Sequence, residues 1–116
     1  MPSNGTQQRM GQVMSAIASG TGGTALSQGA RQWLLVRYTK WLGTRGIRGN
    51  DQTPEEAWSQ YESGFIGKFT EIGQRAAELS GGDEIDENTV ETAARTVETE
   101  TSALSPCPFC VPPDWA

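Results

Sequence analysis

The chain has 116 residues, with fourteen acidic side chains, nine basic ones and a net charge of −5. That length supports one domain at most. The absence of histidine excludes a Ser-His-Asp triad and a His-ligated metal centre, and two cysteines are too few for a disulfide framework.

Leu, Ile, Val and Phe supply only 19 of the 116 residues, so the aliphatic core is thin. Four Trp, two Tyr and three Phe compensate, because each large aromatic buries roughly 150–250 Å². A helical domain that gains stability from a partner or from copies of itself is the expectation. No apolar run approaches the roughly 20 residues that span a bilayer. The start, MPSNGTQQRMGQ, lacks a charged-then-apolar signal pattern. An intracellular or virion location, without membrane contact, is therefore expected.

Charge is divided along the chain. Residues 1–50 hold six basic side chains and no acid, whereas residues 51–116 hold three basic ones and all fourteen acids. Such asymmetry suits an anionic partner, or attraction between the two halves within one chain or between copies.

Residues 1–5 read as a disordered start, and 6–104 as the helical domain. Met10, Val13, Met14 and Ile17 recur at helical spacing and define the first helix. A Gly/Ser/Thr loop follows, which lacks the GK[ST] ending of a phosphate-binding loop. Ser27 then caps a second helix. Leu34, Leu35, Tyr38, Trp41 and Leu42 share its expected core face, while Trp33, Val36, Arg37 and Lys40 lie on another. Arg45 and Arg48 extend the positive charge beyond it. Trp33 with Arg37, Lys40 and Arg45 is the pattern of a surface that stacks bases and tracks phosphates. The same pattern arises when Trp33 packs on a neighbour and Arg37 lies over it.

The third helix is the clearest. Thr53, Pro54 and Glu56 form a capping box with proline at the first helical position. Trp58, Tyr61, Phe65, Phe69, Ile72, Ala76 and Leu79 form a nearly continuous seam. Gly64, Gly67 and Gly73 interrupt it, for a bend or for close approach of another backbone. Gly81 or Gly82 ends it. In the fourth helix Asp86 is the N-cap, Val90, Ala94, Val97, Thr101 and Leu104 form a thin apolar stripe, and Glu87, Glu91, Glu98 and Glu100 form an acidic, solvated outer face.

Residues 105–116, SPCPFCVPPDWA, hold both cysteines and four of the six prolines. Proline excludes helix and keeps such a segment extended. Phe109 and Trp115 are candidate anchors for docking on another chain. Cys107 and Cys110 are candidates for a disulfide, or for half of a zinc site shared between chains, since zinc needs four ligands. Cys107-Pro108-Phe109-Cys110 also resembles the CPYC active site of glutaredoxins over four residues, with Phe for Tyr. That resemblance implies thiol–disulfide exchange, but Pro112 and Pro113 prevent the helix that lowers the thiol pKa in that family.

The expected fold is all-α: a small antiparallel arrangement of three to four helices, with a long central helix and an extended Pro/Cys-rich tail. The expected function is non-enzymatic: a structural subunit of a multi-copy complex such as a virion, whose partners are copies of itself or other chains. The alternative is a nucleic-acid-binding accessory protein using the basic helix 31–48. A CxxC thiol oxidoreductase comes third. No resident cofactor is expected.

Overall fold

Local capping sets the ends of the helices. Ser27 Oγ accepts the Ala30 amide at 3.0 Å. Thr53 Oγ1 accepts the Glu56 amide at 3.0 Å, and the Glu56 carboxylate accepts the Thr53 amide at 3.1 Å, satisfying two orphan donors reciprocally. Asp86 Oδ1 accepts the Thr89 amide at 2.8 Å, and this bond holds its carboxyl below the usual carboxylate value. The computed structural model describes residues 4–43 and 53–102, apart from the side chains of residues 4–6, 55, 57, 59–61, 101 and 102. Its four helices are α1 (Asn4–Gly20), α2 (Gln28–Leu42), α3 (Pro54–Ser80) and α4 (Glu87–Ser102). The all-α arrangement expected from composition and periodicity is the observed fold. Arg45, Arg48, Cys107, Phe109, Cys110 and Trp115 lie outside the described residues.

Asn4 and Gly5, expected in the loose start, belong to α1. The first turn of a helix contributes carbonyls to the residues four positions on and needs no apolar face of its own. α1 and α3 run in the same direction. Arg9 lies over the Trp58 ring near their beginnings, and Gly20 meets Thr70 and Gln74 further along. α2 and α4 are likewise parallel, with Gly29 beside Glu87 and Arg37 bonded to Glu98.

A repeated loop joins each pair of helices. Gly22-Gly23-Thr24-Ala25-Leu26-Ser27 precedes α2, and Gly81-Gly82-Asp83-Glu84-Ile85-Asp86 precedes α4. The glycine pairs have matching φ angles, 64° and 101° in one loop and 64° and 97° in the other. That left-handed region costs other L-residues roughly 1–2 kcal/mol. Each loop ends on the N-cap of the next helix. The two loops pair through a single parallel bridge, Leu26 with Ile85. Ser27 N–H donates to the Ile85 carbonyl at 2.8 Å, and Ile85 N–H donates to the Ala25 carbonyl at 2.9 Å.

The core is largely aromatic. Tyr38 and Trp41 from α2 and Trp58, Phe65 and Phe69 from α3 are fully buried. Tyr38 meets Phe69 edge-on at 4.9 Å, and Trp41 meets both Phe65 and Phe69 at 5.5 Å. Each such pair contributes about 0.5–1.5 kcal/mol beyond area burial. Met10, Val13 and Ile17 of α1 and Val90, Ala94 and Val97 of α4 close the core, as their spacing predicts.

Two residues of the expected core faces are exposed. Leu35 is 39 % exposed, because the buried arc of α2 is centred on Ala30, Leu34, Tyr38 and Trp41 and stops short of it. Leu79 is 58 % exposed. α1 ends opposite Thr70 and Gln74, so the last turn of α3 runs past its cover.

The α1–α3 crossing depends on two glycines. A methyl group at Gly20 would strike the Thr70 carbonyl, and one at Gly73 would strike the Ile17 carbonyl. The relation is symmetric, since each glycine faces the carbonyl three residues before the other. The hydrogens there point at carbonyl oxygens, in the manner of Cα–H···O contacts. Gly67, in the same helix, has open space where a Cβ would sit. Gly73→Ala is therefore expected to destabilise by at least about 1–3 kcal/mol, and Gly67→Ala to stabilise by up to about 1 kcal/mol. Thermal unfolding of the two variants checks both signs.

Candidate interaction surface on the second helix

α2 carries three of the sequence-derived site residues within the described part of the chain: Trp33, Arg37 and Lys40. The structure separates them chemically. Arg37 is committed inward. Its Nε donates to Glu98 Oε2 at 3.0 Å and its Nη2 donates to Glu98 Oε1. The Tyr38 hydroxyl donates to Glu98 Oε2 at 2.7 Å. The Arg37 and Glu98 side chains are only 9 % and 12 % exposed. Glu98 is thus not part of a solvated acidic face, and Arg37 is not displayed for an anionic ligand. Helix register explains both corrections: α2 and α4 lie side by side in parallel, which brings residues 61 positions apart into contact.

The titration of Arg37 and Tyr38 follows from their surroundings. Burial pulls the Arg37 pKa down, but the hydrogen bond and charge of Glu98 outweigh it, and the net shift is upward. Burial, then the Glu98 charge and hydrogen bond, push the Tyr38 phenol well above its ordinary 10.0.

Arg37 also lies over the Trp33 ring, 5.1 Å from its centroid. Trp33 is half-buried against the core, whereas Val36, at 61 %, and Lys40 are exposed. The spacing 33, 36, 40 puts these three on one stripe of α2. The stripe is an indole beneath a guanidinium, an exposed aliphatic side chain, and a lysine with no ion pair among the described residues. Arg31 is exposed on the same helix. Sequence reasoning placed Val36 beside Trp33 but gave it no role. Its exposure is the signal that periodicity could not supply.

The remaining acids of α3 and α4 are partly used locally. Glu71 pairs with Lys68 and Arg75, Glu100 with Arg75, and Glu91 with Arg95. An open groove between α1 and α3, lined by Gln8, Gln12, Ser15, Ile66 and Thr70 among others, carries no charged side chain. Among the described residues no cluster of three or more potential metal ligands occurs, and no helix is long and apolar enough to cross a membrane. No protein-family model, curated protein or solved structure matches this chain.

Two outcomes follow from the Arg37–Tyr38–Glu98 cluster. Glu98→Gln leaves a buried guanidinium without its carboxylate and is expected to cost about 3 kcal/mol, more than the paired replacement of Arg37 and Glu98 by methionine. Chemical denaturation of the variants tests that order. At alkaline pH the unfolded chain releases the Tyr38 proton near 10.0, while the folded chain keeps it. The stabilisation is complete below that value and declines above it, with a slope approaching about 1.4 kcal/mol per pH unit. Tyr38→Phe should flatten the alkaline decline in melting temperature.

Proposed function

We propose that the protein is a non-enzymatic structural subunit of a larger multi-copy complex, such as a virion, and that it docks to its neighbours through residues 105–116. The observation that carries this reading is the apolar surface left around a closed core. Val36 and Leu79 are 61 % and 58 % exposed, although the aromatic cluster of the core is fully buried. An exposed aliphatic side chain on the same stripe as a half-buried indole suits a surface that meets other chains. The tail adds Phe109, Val111 and Trp115 in a proline-rich segment, whose stiffness lowers the entropy lost on docking. Cys107 and Cys110 then have a secondary role, as a disulfide within the tail or as thiolates sharing a zinc ion between copies.

Binding of nucleic acid through 31–48 would have to manage without Arg37, which serves Glu98 and Trp33 instead. Thiol exchange at Cys107 and Cys110 remains the third reading, and measurement of the thiol pKa tests it.

The test is native mass against concentration for the full chain and for a chain lacking residues 105–116. The full chain is expected to form multimers, and the truncated chain to keep its helical content while losing them. Equal assembly by the truncated chain would overturn the docking role of the tail.

A further inference from the structure

We propose that the Trp33–Val36–Lys40 stripe of α2 is the acceptor for the C-terminal segment of a second copy of this chain, with Phe109 and Trp115 seated against Trp33 and Val36 and Asp114 paired with Lys40. This rests on the assembly reading above and names the surface that it uses.

Three observations lead there. The first is where the described chain stops. α4 is held parallel to α2 by the Ser27–Ile85 hydrogen bond at one end and the Arg37–Glu98 pair near the other. α4 therefore ends at Ser102, beside the C-terminal end of α2, and the fourteen residues 103–116 follow in sequence. Val36 lies back along α2, six residues before its last residue, Leu42, which is about 9 Å of helix.

The second is stiffness. Pro106 and Pro108 restrict Ser105 and Cys107, the residues before them, to extended backbone. A spacer of that kind spans about 3 Å per residue. A stiff spacer of that length suits reach to a neighbour's α2 better than a tight reversal onto its own.

The third is charge. Asp114 is the one Asp, Glu, Lys or Arg in residues 103–116. Lys40 and Arg31 are exposed on α2, and residues 1–50 contain no acid that competes for them. Arg37, itself fixed by Glu98, covers the Trp33 ring from one side, so a docking segment would meet the part of the half-buried Trp33 left exposed, together with Val36.

The experiment uses full-length chains throughout, followed by native mass at several concentrations. Val36 is exposed, so Val36→Glu should leave the helical signal unchanged and weaken self-association about tenfold. Lys40→Glu and Asp114→Lys should each weaken it about threefold. A mixture of K40E chains with D114K chains should restore association, and the restored species should be the mixed pair, since only there do opposite charges meet at every contact. If F109A/W115A abolishes association while V36E associates like the wild type, the tail docks elsewhere and the acceptor assignment is overturned, with the assembly reading intact. If the mixture fails to recover while K40E/D114K within one chain does, the tail folds onto its own body and the second-copy assignment is overturned. If the wild-type chain is monomeric at every concentration, the assembly reading falls, and this inference falls with it.

Discussion

The fold rests on the interlocked aromatic rings between α2 and α3. With few aliphatic side chains available, Tyr38, Trp41, Trp58, Phe65 and Phe69 supply most of the buried volume between these helices. Rings of that size hold the two backbones apart, so α2 and α3 touch mainly through side chains. The opposite solution operates where rings are absent. α1 approaches α3 until the backbones meet at Gly20 and Gly73. Bulk on one side and its removal on the other give the chain a closed core without many leucines.

The Arg37–Glu98 pair adds direction to this packing. Non-directional burial alone would allow α4 to slide along α2 by a turn, because its apolar stripe of Val90, Ala93, Ala94 and Val97 is made of small, similar side chains. A bidentate ion pair that also accepts the Tyr38 hydroxyl permits one register. At the other end of the same helices the Leu26–Ile85 bridge sets the register a second time. The two halves of the chain, one basic and one acidic, are thereby joined at a site where their charges are removed from water. The basic character that remains on α2 belongs to Arg31 and Lys40, beside an exposed Val36.

The repeated Gly-Gly loop gives the molecule an internal correspondence between α1–α2 and α3–α4. Both loops use the same pair of positive φ angles to leave a helix, the same aliphatic position to form the bridge, and an oxygen-bearing side chain to start the next helix. The helices they connect differ in length, α1 having 17 residues and α3 having 27. Few residues outside the loops coincide in type, which is why the correspondence is clear in the backbone and faint in the side chains.

What the sequence by itself determined was everything that closes within a turn or two of chain. Ser27, Thr53 with Glu56, Gly81 and Asp86 end their helices as residue type and spacing predict, since a cap needs only an amide three residues away. The stripes of α1, α3 and α4 were legible because a buried helix face must repeat at 3.6 residues. Tertiary structure decided the rest. Gly73 and Gly67 look alike in sequence, and only the crossing with α1 makes one indispensable and the other replaceable. Leu35 and Leu79 fit the apolar periodicity, yet helix ends and arc widths leave them in water. In the sequence Arg37 belongs to a surface with Trp33 and Glu98 to a solvated acidic face. Their union depends on the relative register of two helices 61 residues apart, and the periodicity of either helix carries no record of the other's position.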